Sequence, residues 1–557
     1  LAVGLTVLHP DLPYPPLWHD SWLYHGYFID LPGHLAAFKD RYYSSRISVT
    51  LPGHLAHRWL PPVPATLLLH LAVYLGGVIA LYATVRQTVN RRAATLTALV
   101  LAGNCHYLQV VNSEYTDGYS VGYFLAATAL LARAAQSEWW RLWVCAAGMA
   151  TAALLVANVA FAVLVPPLVG LAWALNRTAR RAADAAGFWV GVGGLAVCAV
   201  CGYVNLRAGG DPFFLAPSLT FVRNTAGAGA ANPFREPLLD WLPMATWLLF
   251  PLAATGGAVA FLVRRPPAAP GGPVATWYQV QLLATVDLLV GLHCTPHICF
   301  LQVPFCATPI LLPLALLAVA AQWGGRLAEL GPGGYRLVCG LAVAAPLLLM
   351  STSFLVANPV GTAVAALLLL GGVVLLQQPA ARRPAVAAAA VALVCLADLG
   401  GWHRLREPEG YYPHNPAEHP LALADRGARR ELFEVMHGTM RVVRTMDPGY
   451  QAVFWIDVGE PLGRLFTNLA CLHCFNVVNV RLPDVTPWGR PLVPAMRVLV
   501  VSADEREPER ARQAARAAGL RTQVLLQRTI DHPRYRFTVS LLETATDGPV
   551  VAGGKEN

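Results

Sequence analysis

The feature that most constrains the fold of this chain is a series of apolar segments separated by loops of alternating arginine content. Thirteen segments occupy residues 1–400, beginning with residues 1–9, which we take as the end of a first span. The other twelve are residues 63–85, 94–111, 119–136, 139–156, 158–175, 186–204, 241–263, 275–293, 302–321, 336–354, 361–378 and 385–400. A bilayer-spanning helix needs about 20 apolar residues. The pattern therefore predicts an α-helical polytopic membrane protein.

Arginine placement predicts the orientation of these spans. Every second connection is rich in arginine and poor in acids, as around Arg91, Arg141 and Arg180. Such connections face the cytoplasm, so the remaining loops face outward, including the long loops 10–62 and 205–240. The same arginines explain the net charge of +9, so we expect no nucleic-acid partner. The Arg- and Ala-rich composition favours a bacterial inner (plasma) membrane.

Residues 401–557 have a different pattern and, after an odd number of crossings, lie outside the cytoplasm. Helices are predicted at 421–446 and 504–518. Strands are predicted at 451–457, 475–481, 496–502, 521–528 and 535–542. This alternation predicts a soluble extracytoplasmic α/β domain, separate from a membrane domain at 1–400. Cys471 and Cys474 within it leave open a disulfide or part of a zinc site, which needs four ligands.

The first outward loop, residues 10–62, is rich in His, Pro, Gly and aromatic residues. We expect short amphipathic helices lying in the membrane interface. Asp20 sits among the aromatics, where a carboxylate near apolar surroundings is costly unless it is paired or used. It is a candidate general base. The alternative is a solvated loop residue or a helix N-cap.

A second candidate is the short outward turn between two spans that contains Glu114 and Asp117. Two carboxylates in one tight turn repel each other unless a cation or a substrate shares them. Divalent cations such as Mg²⁺ or Mn²⁺ take oxygen ligands of this kind. The alternative is a polar turn in which Asp117-Gly118 makes the chain reversal.

Basic side chains on the outward side form a third set. Arg41, Arg46 and Arg223 run against the topology preference, and a guanidinium matches a phosphate with two hydrogen bonds. Singly, each is also consistent with a charge that reaches to the interface. His293 and His297 are four residues apart at a span end. Pro296 breaks the helix between them, so they are either a metal-binding pair or interfacial caps.

This layout resembles the GT-C superfamily of membrane glycosyltransferases, and most closely the protein O-mannosyltransferases and the lipid A aminoarabinose transferases. The resemblance rests on the thirteen spans, the early acid in an aromatic first loop, the acidic outer turn and the α/β tail. Those families typically carry an acidic pair in the first loop. Here that place reads His19-Asp20, so only Asp20 carries over. Their later outer-loop carboxylates fall on Glu114 and Asp117.

The resemblance implies transfer of a hexosyl or pentosyl group from a polyprenyl-phosphate donor to a lipid, glycan or protein acceptor. Asp20 would be the base, and Glu114 and Asp117 would position substrate or a divalent cation. The donor phosphate and the rest of the substrate would be bound by a set of basic and aromatic residues. That set comprises His19, Tyr24, Arg41, Arg46, Arg223, His293 and His297.

Two other functions remain open from the sequence. A transporter or lipid flippase would place polar groups at mid-membrane, often in two related halves. A non-catalytic membrane scaffold would leave Asp20, Glu114 and Asp117 apart. Convergence of the outward carboxylates and arginines distinguishes the transferase from both.

Overall fold

The computed structural model describes most of the chain between residues 19 and 546. The described ranges are 19–112, 116–178, 183–228, 246–264, 272–294, 308–329, 331–336, 338–340, 342–343, 428–455, 469, 472–473, 477–478, 489–490, 492–502, 507–533 and 535–546. The predicted spans at 361–378 and 385–400, the partial span at 1–9, and Cys471 and Cys474 lie outside these ranges.

Sixteen α-helices are named here in chain order within the described ranges. Before the first long helix come α1 (His19–Ile29), α2 (Leu31–Ala37), a 3-10 helix (Tyr42–Ser45) and α3 (Ile47–Trp59). The apolar helices are α4 (Pro62–Thr88), α5 (Arg91–Gly103), α6 (Cys105–Asn112), α7 (Thr116–Gln136), α8 (Trp140–Ala157), α9 (Val165–Thr178), α10 (Ala183–Arg207), α11 (Ala216–Ala228), α12 (Thr246–Arg264), α13 (Gly272–Cys294) and α14 (Thr308–Ala328). A second 3-10 helix, Val159–Leu164, links α8 to α9. The C-terminal region adds α15 (Ala428–Met446) and α16 (Glu507–Ala517).

The apolar helices form a bundle around one large core. Leu81, Phe124, Phe161, Leu282 and Ala315 are all fully or almost fully buried in it. In the part of the chain that is described, three stretches are long and apolar enough to cross a membrane: Pro62–Thr88, Trp140–Ala157 and Ala185–Arg207. The helical membrane architecture predicted from the sequence is confirmed, and the number of thirteen spans stays a prediction.

The first loop folds into helices as expected, but its first helix is not amphipathic. Every side chain from Ser21 to Phe28 in α1 is buried. An amphipathic interfacial helix keeps one face in water, whereas other parts of the chain cover α1 on all sides from Ser21 to Phe28. The predicted amphipathic exposure was therefore wrong for this helix, and its position at the membrane interface stays a prediction.

The cover over α1 comes from the C-terminal region, whose sheet has the strand order β3-β2-β1-β4-β6-β5. The strands are β1 (Val453–Trp455), β2 (Val477–Val478), β3 (Gly489–Arg490), β4 (Arg497–Ser502), β5 (Leu520–His532) and β6 (Tyr535–Thr546). The β1, β2, β3 and β4 strands pair in parallel, and β6 is antiparallel to both β4 and β5. The predicted α/β tail is confirmed, with β3 as an additional short strand.

One hydrophobic cluster joins the first loop to this sheet. Trp22 and Phe28 of α1 share it with Phe433 of α15, Phe454 of β1 and Phe537 of β6. All five rings are almost completely removed from solvent. Burying a large aromatic side chain stabilises by about 2–3 kcal/mol, so this cluster holds the C-terminal region firmly against the first loop.

Candidate functional site

Arg46 lies at the centre of a buried polar site between the first loop and the helix bundle. It is 7% exposed and precedes α3 directly. Its guanidinium carbon lies 5.4 Å from the ring centroid of Tyr24 and 4.8 Å from that of Tyr42. Its Nη1 donates a hydrogen bond to Thr116 Oγ1. Aromatic faces attract a guanidinium, so the cation is held in place while removed from bulk water.

Asp117 brings a carboxylate to the same region, because it follows Thr116 in the first turn of α7. The Asp117 side chain is fully buried, and its Oδ1 accepts a hydrogen bond of 2.8 Å from Asn158 Nδ2. A buried carboxylate is costly unless hydrogen-bonded or paired. The hydrogen bond from Asn158 supplies one such partner. The acid directly follows, in sequence, the threonine to which Arg46 is bonded.

Close backbone packing fixes the carboxylate in this position. Residue 118 is glycine, and a Cβ there would lie 2.5 Å from the carbonyl oxygen of Val110 in α6. Only glycine allows the start of α7 to approach α6 so closely. Asp117 and Gly118 are thus both helical. The alternative from the sequence, in which this pair makes the chain reversal, was wrong.

The arginine end of the site is fixed to the bundle by hydrogen bonds from α3. Tyr123 of α7 donates from its hydroxyl to the carbonyl of Ser48 at 2.6 Å. Ser48 Oγ in turn donates to the carbonyl of Ala153 in α8 at 2.8 Å. These bonds tie the start of α3 to both helices that flank the site, so Arg46 and Asp117 are held in one rigid frame.

The helix α11 closes the outer side of the aromatic pair. Phe221 stacks on Tyr42 with ring centroids 4.3 Å apart and an angle of 13° between the rings. Ser218 and Ser45 are joined through their hydroxyls. Arg223 follows on the same helix and is exposed.

A second polar region joins the first loop to the C-terminal region. Asp30 caps α2 and accepts hydrogen bonds from Arg444 Nη2 at 2.9 Å and from the Tyr450 hydroxyl at 2.8 Å. His34 Nε2 lies 2.8 Å from the carbonyl oxygen of Leu472. These contacts join residues that are more than 400 positions apart, so they are the polar counterpart of the aromatic cluster.

Burial controls the protonation of this second region. It lowers the pKa of His34 to about 4, although the carbonyls of Leu472 and Asp30 beside its ring nitrogens act in the opposite direction. A neutral ring donates through one nitrogen, and the 2.8 Å contact to Leu472 is the shorter of the two. Burial raises the pKa of Asp447, but hydrogen bonds from His473 and from two backbone amides outweigh it, and the net pKa is lowered.

A cluster of three histidines lies beside the aromatic rings of the same contact. His25, His57 and His437 come from α1, α3 and α15, and their nearest ring nitrogens all lie within 4.8 Å of one another. Burial lowers the pKa of His437 well below its ordinary value, and the neighbouring His25, His57 and Arg441 lower it further. The sequence analysis did not identify this cluster. Its one sequence signal is the density of histidines in the first loop.

Comparisons with known proteins agree with this architecture. Residues 64–203 match the family described as dolichyl-phosphate-mannose-protein mannosyltransferase. That match covers α4 to α9 and most of α10, including Asp117 and Asn158. The crystal structure of ArnT from Cupriavidus metallidurans bound to undecaprenyl phosphate has a similar fold, with a TM-score of 0.50 and 15% identity. The similarity covers 97% of this chain and 96% of that one. No curated protein matches the chain significantly.

Both findings agree with the resemblance inferred from the sequence. The similarity to the ArnT crystal structure confirms the predicted helical fold with an α/β C-terminal region, and it shows the fold alone. The family match covers residues 64–203 and does not assign roles to individual side chains.

Two of the predicted site residues come together, and a third lies next to them in sequence. Tyr24 contacts the guanidinium of Arg46, which bonds to Thr116, the residue before Asp117. Arg41 lies half-buried at the start of the first 3-10 helix, and Arg223 is exposed on α11.

The remaining predicted residues are placed only in part. His19 and Asp20 form the first two positions of α1, and His293 lies at the end of α13. Their side chains lie outside the described part of the structure, as do Glu114 and His297 entirely. Asp20 precedes Tyr24 by four residues, so the two positions share one face of α1.

Proposed function

We propose that this chain moves a sugar from a polyprenyl-phosphate donor to a lipid, glycan or protein acceptor at the outer membrane face. The observation that supports this most is the buried Arg46, stacked by Tyr24 and Tyr42 and bonded to the residue before Asp117. A guanidinium fork held in low dielectric binds a phosphate strongly. Undecaprenyl phosphate is bound in the ArnT crystal structure, and a lipid phosphate of this class is the donor carrier that we assign to Arg46.

The reaction would be a single displacement at the anomeric carbon. The acceptor hydroxyl oxygen forms the new bond while the bond from the anomeric carbon to the phosphate oxygen breaks. The polyprenyl phosphate leaves with the electron pair, and Arg46 stabilises its charge. Asp20 takes the acceptor proton as general base, from the face of α1 that also carries Tyr24. Asp117 orients the substrate from the opposite wall, held by Asn158.

Other predicted residues have supporting roles in this proposal. Arg41, which directly precedes Tyr42, and Arg223, on α11, attract the phosphate headgroup of the donor. His19, His293 and His297 complete the substrate-binding set. A divalent cation held by Glu114 and Asp117 stays part of the proposal, since oxygen ligands suit Mg²⁺ or Mn²⁺.

Binding and turnover measured separately test these roles. The full chain would be placed in lipid nanodiscs, and binding of undecaprenyl phosphate would be followed by native mass spectrometry. We expect Arg46→Ala to lose at least about 100-fold in affinity, since a charge-assisted bidentate contact is removed. Arg141→Ala is the matched control, because Arg141 is exposed and predicted to be cytoplasmic. Equal affinity in the two variants would contradict the assignment of Arg46.

The base is tested with a polyprenyl-phosphate sugar as substrate. Asp20→Asn should retain lipid binding and lose sugar transfer by about 100-fold or more. Movement of the lipid across the bilayer without any covalent product, unchanged by Asp20→Asn, would instead support a flippase.

A further inference from the structure

The three-histidine cluster has the chemistry and the spacing of a metal site. His25 and His437 are buried, His57 is half-buried, and the Nε2 atoms of His25 and His437 are in direct contact. The two residues are 412 positions apart in sequence. Only the folded contact between the first loop and α15 brings them together.

Two ring pairs of the group meet edge to face, whereas the rings of His57 and His437 are nearly parallel, with an angle of 15° and centroids 5.9 Å apart. The ring planes of His25 and His57 make an angle of 88°, and those of His25 and His437 make one of 82°. The corresponding centroids lie 4.9 Å and 4.6 Å apart. Zinc–nitrogen bonds are about 2.0–2.1 Å long, which places two nitrogens of a tetrahedral site roughly 3.4 Å apart. The Nε2 atoms of His25 and His437 lie closer together than this, and the ligand atoms of the group spread over up to 4.8 Å. Rotation of the rings would therefore bring the three nitrogens to the tetrahedral spacing.

Aromatic rings surround the cluster, and the cationic side chain of Arg441 lies near His437. Phe433 lies 5.1 Å from His25 and 4.5 Å from His437, centroid to centroid, and Phe28 stacks on His57 at 5.9 Å. Within the described residues the group contains histidine alone and no carboxylate. Imidazole is a ligand for zinc, copper and nickel, whereas magnesium and calcium prefer oxygen. The site therefore differs in chemistry from the oxygen site predicted at Glu114 and Asp117.

Three imidazole nitrogens from separate helices converge within 4.8 Å. Two neutral rings can share one hydrogen bond, in which one nitrogen donates and the other accepts. A bound divalent transition-metal ion would accept one lone pair from each of the three rings, and imidazole is a common ligand for such ions.

We propose that His25, His57 and His437 bind one zinc-class divalent transition-metal ion, which fastens α1 and α3 to α15. Three protein ligands leave a fourth coordination position for water or another donor. The ion acts as a positioning element. It holds α1 against the C-terminal region and so fixes Tyr24, the residue before His25, beside Arg46. It takes no part in the bond changes of sugar transfer.

Metal binding to the purified full chain in nanodiscs tests this directly. After chelator treatment, titration with ZnCl₂ should show one tight site per chain and an increase in thermal unfolding temperature. His57→Gln is the test variant, because the half-buried position tolerates substitution best. We expect its zinc affinity to fall by at least about 10-fold, since mutating even a residue that only hydrogen-bonds to a metal ligand lowers metal affinity by about 10–100-fold. His532→Gln, in β5, is the matched control: it is also half-buried, lies outside the three-histidine group and should bind zinc normally.

Cobalt(II) supplies a readout that histidines packed together without a metal ion would not give. The wild-type chain loaded with Co²⁺ should show the visible absorption of a tetrahedral site. His57→Cys should keep that absorption and add a thiolate band, because sulfur replaces nitrogen in the ligand set. Zinc uptake equal in the wild-type and His57→Gln chains, or cobalt spectra identical in the wild-type and His57→Cys chains, would overturn the proposal.

Discussion

The site around Arg46 and the histidine cluster each include one side chain of the short helix α1, but they are built in opposite ways. Tyr24 faces the guanidinium of Arg46, and the next residue, His25, faces α15. The first site holds a guanidinium between aromatic faces and a carboxylate, both with hydrogen bonds to the bundle. The second holds imidazoles and aromatic rings between distant parts of the chain. In our proposals α1 therefore has two tasks: one part binds the substrate, and the other attaches the C-terminal region.

The largest effect should come from removing the charge at the first site. Asp117→Asn keeps the shape of the side chain and its contact with Asn158, so the fold should be retained. We expect sugar transfer to fall by about 100- to 1,000-fold, which is about 3–4 kcal/mol of transition-state stabilisation. Turnover measured beside the thermal unfolding temperature checks this. A loss of stability that matches the loss of activity would mean that Asp117 is only structural.

Acid should act instead on the polar contact between the first loop and the C-terminal region, which contains His34 and Asp447. His34 released from the contact binds a proton near pH 6.5, while docked it does so only near pH 4. Falling pH therefore favours the undocked state throughout this window. The cost reaches about 3 kcal/mol, at about 1.4 kcal/mol for each unit of difference. The lowered pKa of Asp447 extends the loss to lower pH.

The measurement is the thermal unfolding temperature of the full chain between pH 7 and pH 4, in wild type and His34→Gln. The variant lacks the titrating ring, so its stability should vary less with pH over that window. Parallel curves for the two proteins would show that His34 does not control the acid response.

Two glycines allow the two regions to be disturbed separately. A Cβ at Gly26 would clash with the carbonyl oxygen of Leu472 and lie 2.9 Å from His34 Nε2. A Cβ at Gly118 would instead meet Val110 beside Asp117. Overpacking of this kind costs about 1–3 kcal/mol. We expect Gly26→Ala to increase proteolysis of the C-terminal region and Gly118→Ala to reduce turnover. The reverse outcome would contradict the division of tasks.

The smallest effect should come from the ion pair at the edge of the contact. Asp30 and Arg444 are 18% and 37% exposed, so solvent screens their attraction. We expect Asp30→Asn to lower the free energy of unfolding by about 1 kcal/mol. Arg430→Ala breaks a more exposed pair with Glu434 and should change almost nothing. Equal losses in the two variants, measured by denaturant titration, would mean that Asp30 does not anchor the contact.

Local patterns predicted the periodic parts of the molecule well. The predicted strand 496–502 corresponds to β4, and the predicted helix 504–518 to α16. Alternating and helical hydrophobic periods are local signals, so a single sequence is sufficient to find them. The apolar helices of the bundle follow from the same reasoning, because long apolar runs have few other uses.

Residues whose environment is set by distant parts of the chain were harder to predict. The aromatic helix α1 suggested a membrane interface, since nothing near it in sequence shows that α15 covers it. His437 carries no local signal that joins it to His25 and His57. Arg46 and Asp117 were selected for their charge alone, and their shared burial depends on packing between α3, α7 and α8.

The missing Cβ at Gly26 has a consequence for exchanging parts between related chains. The backbone of Leu472 rests directly against α1 at that position, so the C-terminal region is shaped to one particular helix. A chimera whose C-terminal region comes from a relative would also need α1 of that relative, because the two segments pack together although they are far apart in sequence. Recombination at residue 400 alone would combine a C-terminal region with an α1 helix that it does not fit.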